Sequence, residues 1–310
     1  MTINADLAGK RVLVVGGSSG LGRSVALTAA GMGAKVAVVG RRKTLIDEVA
    51  AEAGGVGIVA DVCDESAARR AVDEAVAGLG GIDVVLLTLA WSYLEMMADS
   101  EAQNWHKTFA TNVVAPTLVT RFALPVLAEG GFVGFVSSTN VDKTMHGVGA
   151  YGASKAALEH TIRTWRLEHM DVRFMRLVVG PVLPTDIYRD FDGELLGRVM
   201  TSWAEHGLLE ASFMAVEDVG TAVAEACAWI LAHPAIVVED IVLKPPIRTM
   251  SAAELQALLG TPAPRDEAEP SGDAKYTSSN SAADGTSVPA GETSVGSGQA
   301  AGRTREGSTQ

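Results

Sequence analysis

Tyr151 and Lys155 stand four residues apart in Tyr151-Gly152-Ala153-Ser154-Lys155. On a helix that spacing puts both side chains on one face. A tyrosine near its ordinary pKa of about 10 is a poor base at neutral pH. A neighbouring ammonium favours the phenolate and is expected to lower that value, so the pair reads as an acid/base with its own charge partner. Taken alone, it would read more simply as an exposed tyrosine at a helix start beside a solvated lysine. Hydroxyls at Ser137, Ser138 and Thr139 close an apolar run shortly before it, and Asn112 sits in the helical pattern that precedes that run.

A second constellation lies near the N-terminus, in Val15-Gly16-Gly17-Ser18-Ser19-Gly20-Leu21-Gly22-Arg23. It follows a strand-like run and opens a helical one. Glycines there let the backbone approach a phosphate, whose charge the free N–H groups and the positive helix end then stabilise. Alone, the glycines could also mark a plain tight strand-to-helix turn; between a strand and a helix they favour a cofactor site. The second apolar run ends Val39-Gly40-Arg41-Arg42-Lys43, with no acid before Asp47. An NAD enzyme usually places a carboxylate at that point for the ribose 2′-hydroxyl. Cations opening a helix oppose its dipole, and a bound 2′-phosphate would neutralise them. The expected cofactor is therefore NADP(H), held by Arg41 and Arg42.

Gly16, Gly20 and Gly22, with the Tyr151/Lys155 pair, resemble the motifs of the short-chain dehydrogenase/reductase family over roughly residues 7–245. The resemblance implies a doubly wound α/β fold and hydride transfer between a nicotinamide cofactor and a carbonyl/alcohol pair. It implies Tyr151 as general acid in reduction and base in oxidation. Lys155 would hold the nicotinamide ribose and depress the tyrosine pKa. Ser138, 13 residues before Tyr151, would hydrogen-bond the substrate oxygen, an assignment resting on spacing beside two neighbouring hydroxyls. Asn112 would hold a water linking Lys155 to solvent. Asp61-Val62 matches the pair whose aspartate touches the adenine, a role compatible with Asp61 also capping the helix opening at Ser66. Backbone at Val179 and the hydroxyl of Thr185 would meet the nicotinamide carboxamide, and Ser18, Ser19 and Leu21 complete the cofactor turn. The sequence departs from the family in Leu87-Thr88-Leu89-Ala90-Trp91, where either Thr88 or Leu89 takes the place of an asparagine. It departs again at Lys244-Pro245-Pro246, where a glycine pair is usual.

The elements that must position these groups alternate along the chain. Strand-like runs are Arg11–Val15, Lys35–Val39, Ile58–Ala60, Asp83–Leu87, Phe132–Ser137, Val172–Val179 and Val237–Leu243. Helical patterns are Leu21–Ala30, Thr44–Ala53, Ser66–Leu79, Ser100–Leu127, Tyr151–His169 and Val216–Ala232. Continuous Val/Leu-rich strands separated by helices predict a seven-stranded parallel sheet covered on both faces, a Rossmann-type fold. Residues 1–260 form this domain. From Thr261 to Gln310 there is no Leu, Ile, Phe, Met or Trp, so that tail is expected to be disordered. Pro181–Phe213 would form a variable lid over an apolar substrate.

Composition narrows the partners. Of 310 residues, 47% are hydrophobic and 5% aromatic, and the net charge is −12, which disfavours nucleic acid. No uncharged run of 18 residues predicts a membrane span, and no basic-then-apolar start predicts a secretory signal. The histidines show no metal-ligand spacing. Cys63 and Cys227 read as core thiols of a cytoplasmic protein. Leu158, Ile162 and Trp165, with small Ala156, Ala157 and Thr161, suggest that the Tyr151–His169 helix pairs two copies, giving a homo-dimer or homo-tetramer. The competing function is a non-catalytic NADP(H) sensor; the tyrosine would be superfluous in that role.

Overall fold

The computed structural model describes residues 6–246 and 248–259. Strand β1 (Arg11–Val15) is apolar on both sides, and its last four residues are buried. It lies third in a parallel sheet with β2 (Lys35–Gly40), β3 (Val56–Val59), β4 (Ile82–Leu87), β5 (Leu127–Ser138), β6 (Arg173–Val179) and β9 (Asp240–Leu243), in the order β3-β2-β1-β4-β5-β6-β9. Seven parallel strands match the expected sheet. β1 pairs with β2 on one edge and with β4 on the other. The chain thus reverses its direction of travel across the sheet at β1, which opens a crevice at the carboxyl ends of β1 and β4.

Two apolar layers cover the sheet. On one face α1 (Gly20–Gly31), α2 (Lys43–Ala53) and α8 (Val216–Ala232) bury Val25, Ile46, Val219 and Cys227 against Val12, Val14 and Phe132. On the other, α3 (Glu65–Leu79), α5 (Ala115–Ala123) and α6 (Gly149–Glu168) bury Val72, Phe122, Leu158 and Ile162 against Leu13, Val85 and Phe135. Both Phe132 and Phe135 are fully buried. Asp64 caps α3, accepting from the Ala67 N–H at 2.8 Å. The capping role that Asp61 might have taken therefore falls to a neighbour.

The helical pattern around Asn112 forms one run, Ala102–Val126. It consists of α4 (Ala102–Phe109), a π-helical turn (Ala110–Val114), α5 and a closing 3₁₀ turn. This run has the length and apolarity of a membrane-crossing helix, although Lys107 and Arg121 interrupt it so that no uncharged stretch of 18 residues occurs. Here Val119, Phe122 and Ala123 are packed into the core. The last strand begins at Asp240, not Val237. Ile236 and Val237 are exposed, and pairing to β6 starts only at Arg176↔Asp240.

The lid region carries structure the sequence reading left open. Asp192 caps α7 (Gly193–Glu205) through the Leu195 N–H at 2.8 Å. A two-stranded parallel sheet joins β7 (Val182–Leu183) to β8 (Met214–Ala215). Helix α9 (Ala252–Leu259) follows, and Leu255 buries against a third apolar cluster that includes Trp203, Val199 and Tyr151. Residues 261–310, read as a tail, lie outside the described residues.

Candidate active site

Along the crevice runs a cavity of about 820 Å³ that reaches from the glycine turn and Arg41 to Tyr151 and the lid. Its volume falls within the usual range of ligand pockets.

The glycine turn supplies one end. Gly16 has φ +95°, and a Cβ there would sit 2.7 Å from the Leu89 backbone nitrogen. A Cβ on Gly22 would meet the Gly16 carbonyl oxygen at 2.3 Å and Thr88 Oγ1 at 2.4 Å. The turn therefore closes against β4 only as glycine. Thr88 Oγ1 donates to the Val15 carbonyl at 2.9 Å. Thr88 is thus the side chain that seals the strand-four contact, while Leu89 meets Gly16 through its backbone. No side chain caps α1, because Ser19 Oγ donates instead to Asp186 Oδ2 at 2.8 Å. An uncapped helix start behind a glycine cradle is the donor set a pyrophosphate needs. Ser18, Ser19, Gly20 and Leu21 all line the cavity there.

Arg41, Arg42, Asp61 and Val62 border the same end. The tertiary fold brings carboxylates to these arginines, which sequence proximity did not show. Arg41 Nη1 lies 3.8 Å from Asp61, and both side chains are about half exposed. Arg42 donates to Asp186 Oδ2 at 2.5 Å, to Ser18 Oγ at 2.8 Å and to Ser19 Oγ at 2.6 Å. The Arg42 bond holds the Asp186 carboxyl below its ordinary range. Asp186 follows Thr185, which also lines the cavity with Val179. The Thr185 hydroxyl accepts from the Ile187 N–H at 3.4 Å. Cys63 also borders the cavity, half-buried, with Sγ 3.9 Å from Thr111 Oγ1. Of the two cysteines only Cys227 is a core thiol, and its burial pushes its pKa up to about 12.

Tyr151, Lys155 and Ser138 meet at the other end. Tyr151 is 9% exposed and Lys155 0%. The Lys155 ammonium donates to the Val136 carbonyl at 2.8 Å and lies 5.8 Å from the Tyr151 ring centroid. Burial pushes the phenol up to about 12; a hydrogen bond with Ser138 works against that rise, and the nearby Tyr188 adds to it. The expected lowering by Lys155 is therefore not what this structure shows: burial raises the phenol, and the opposing pull comes from Ser138. Burial likewise lowers Lys155 to about 8, against a counter-pull from Glu159.

The three adjacent hydroxyls separate by partner. Ser137 is buried and donates to Glu159 Oε1 at 2.6 Å. Ser138 Oγ accepts from the Asn140 N–H at 3.2 Å and faces Tyr151. Ser138 is thus the serine beside the phenol. Asn112 is fully buried in the π turn, a local geometry that often marks functional sites. Its Oδ1 accepts from the Trp91 N–H at 2.7 Å, and its Nδ2 donates to the Trp91 carbonyl and to Ser154 Oγ, each at 2.9 Å. These bonds brace the loop after β4 against α6. They use both amide donors and one lone pair of Oδ1, leaving one lone pair.

The space beyond Tyr151 is walled by Trp91, Met145, Tyr188, Phe191, Met200 and Trp203. Two charged contacts close it. Trp91 Nε1 donates to Asp190 at 3.2 Å while Lys107 lies 4.0 Å over the indole. Lys143 pairs with Glu210 at 2.9 Å. His146 is not a wall residue; its carbonyl accepts from Trp203 Nε1 at 3.1 Å, so it supports the wall from behind.

The chain is similar to known proteins. The family model described as short chain dehydrogenase matches residues 10–194. A short chain dehydrogenase of Pseudocercospora fijiensis is 36% identical over 162 residues, 49% of this chain and 52% of that protein. The glucose 1-dehydrogenase of Gluconobacter oxydans is 30% identical over 172 residues, 52% of this chain and 64% of that protein. The chain thus spans between half and two thirds of these relatives' length. Among solved structures, a short-chain type dehydrogenase/reductase from Mycobacterium marinum aligns with TM-score 0.65 and 25% identity, covering 81% of this chain and 97% of that one. An alcohol dehydrogenase from Thermococcus sibiricus, complexed with 5-hydroxy-NADP, shares the fold with TM-score 0.63 and 20% identity, over 77% and 99% of the two chains. With a family model covering more than half of its length, and the glycine turn and the Tyr151/Lys155 pair at opposite ends of one crevice, the chain belongs to the short chain dehydrogenase family.

Proposed function

We propose that this protein is an NADP(H)-dependent oxidoreductase interconverting a carbonyl and an alcohol. The observation that carries this reading is the convergence of Tyr151, Ser138 and Lys155 at one end of a crevice whose other end is a glycine cradle flanked by Arg41 and Arg42. A nicotinamide, when bound, supplies or takes up the hydride. The glycine turn and the start of α1 hold its pyrophosphate. Arg41 and Arg42 meet the 2′-phosphate, Arg42 exchanging Asp186 for it, and Asp61 with Val62 borders the adenine. Lys155 holds the nicotinamide ribose, and Val179 and Thr185 meet the carboxamide.

In reduction Tyr151 gives its proton to the substrate oxygen. The Ser138 hydroxyl donates to the same oxygen as charge develops there. In oxidation the proton returns to Tyr151. Asn112 keeps Trp91 and α6 in place, and its free lone pair accepts the water proposed to lie between Lys155 and solvent. The aromatic and methionine wall suits an apolar substrate, with Lys143 and Glu210 at its polar edge.

The reading includes a homo-dimer or homo-tetramer, but the supporting face differs from the one first inferred. Leu158 and Ile162 are buried in their own core, and Trp165 stacks on Phe174 with centroids 6.2 Å apart. The exposed side of α6 keeps Ala156 from that reading and adds Ala153 and Leu167, beside the polar His160, Arg163 and Thr164; it is small enough near its start for close approach. Following NADPH absorbance across a panel of apolar ketones and aldehydes tests the reading. Oxidation of NADPH by any member supports it; tight NADPH binding with no turnover across a broad panel would favour the sensor.

A further inference from the structure

One turn beyond Lys155 on α6 stands a second buried ionisable residue that the proposed chemistry does not use. Glu159 is 5% exposed. Its Oε1 accepts from Ser137 at 2.6 Å and its Oε2 from Arg176 Nη1 at 2.5 Å. Arg176 also grips Asp240 through two bonds of 3.0 Å, and Asp240 meets Arg166 at 3.3 Å. A chain of alternating charge therefore runs from the solvent edge at β9, through β6, to the underside of the site. At its inner end the wholly buried Lys155 ammonium has the neutral Val136 carbonyl as hydrogen-bond partner.

We infer that Glu159 is a positioning residue: clamped by Ser137 and Arg176, its carboxylate keeps the Lys155 ammonium charged and directed at the cleft from one helical turn away. The i,i+4 spacing places the two side chains on one face of α6. Burial strips Lys155 of solvent that would otherwise stabilise its charge, so a fixed anion nearby has a large effect. The groups around Lys155 have defined signs. From α6, Glu159 favours the ammonium, and Tyr151 is neutral. From β5, Ser137 and Ser138 are neutral hydroxyls, and from the π turn Asn112 is a neutral amide. From β6, Arg176 opposes the ammonium, and from β9, Asp240 partly cancels Arg176. Glu159 is the carboxylate whose field registers at Lys155.

The inference rests on the reading of Lys155 as the ribose ligand, but its titration can be followed without cofactor. Lysine labelled with ¹³C at Cε would be titrated by NMR in the full chain, with the Lys155 signal assigned by its loss in Lys155→Met. Glu159→Gln should lower the Lys155 midpoint by on the order of one pH unit. Glu159→Asp should keep it near the parent value. Glu159→Gln added to Arg176→Gln serves if the single variant does not fold; measured against Arg176→Gln alone, it should shift the midpoint down. A merely structural role would loosen packing, hydrate Lys155 and move the midpoint up. An unchanged or raised midpoint in the folded neutral variant overturns the inference. The basic limb of NADPH affinity against pH should move with the lysine midpoint, and a limb that stays fixed also overturns it. Failure of the parent to bind NADPH at all would instead overturn the proposed function.

Discussion

At the scale of single residues, the account turns on two buried ionisable groups displaced in opposite directions. Tyr151 is pushed up to about 12 and Lys155 down to about 8. Between about 8 and its ordinary 10.5, Lys155 binds more proton in the unfolded chain than in the folded one. Stability should therefore rise with pH across that window. Tyr151 has the reverse sign, because the folded chain keeps its proton above the ordinary value of 10.0, so stability should fall from there toward about 12. Urea unfolding at a series of pH values should show the first rise in the parent and lose it in Lys155→Met. Equal pH slopes in the two proteins would contradict the buried ammonium. Ser138→Ala should slow turnover by roughly 10²–10³-fold, the usual cost of one oxyanion donor, whereas Ser137→Ala should not act through the substrate oxygen.

At the scale of elements, the β1–α1 turn and the β2–α2 junction form the proposed cofactor end. Gly22→Ala would drive a methyl into Gly16 and Thr88, and should cost NADPH affinity well before it costs the sheet. Arg42 is shared with Asp186 in this structure. Asp186→Asn should therefore free Arg42 and raise NADPH affinity more than NADH affinity, while Arg41→Asp should narrow or reverse the preference for NADPH. Paired titrations of both cofactors by fluorescence read either result; an Asp186→Asn variant that changed neither ratio would count against a 2′-phosphate site at Arg42. These elements were largely legible beforehand. Strands such as Arg11–Val15 are continuous apolar runs, and the glycine spacing fixed where α1 begins. What escaped was long-range pairing. Asp186 reaches Arg42 across 144 positions and Glu210 reaches Lys143 across 67, and no local pattern encodes either. The Tyr151 shift also escaped, because spacing reveals a neighbouring charge but not how much water burial removes.

At the scale of the molecule, three apolar clusters hold the described residues together, and the third ties the lid to Tyr151 through Trp203, Val199 and Leu255. Phe135→Ala, at a fully buried position, should cost about 3–5 kcal/mol in chemical unfolding. Shortening the chain after Gly260 keeps α9 and Leu255, and should leave unfolding and cofactor affinity unchanged, as a segment lacking large aliphatic residues has little to add to a core. Sedimentation at micromolar concentration should show a multiple of 32.2 kDa; a single species at that mass would remove assembly from the account. The measurement closest to the central claim is NADPH turnover by the parent and by Tyr151→Phe, each with its NADPH affinity measured in parallel. The account predicts that the variant binds NADPH nearly as the parent does and turns over nothing, since the glycine cradle and arginines stand at the opposite end of the crevice from the lost hydroxyl. A variant with near-normal turnover would contradict it.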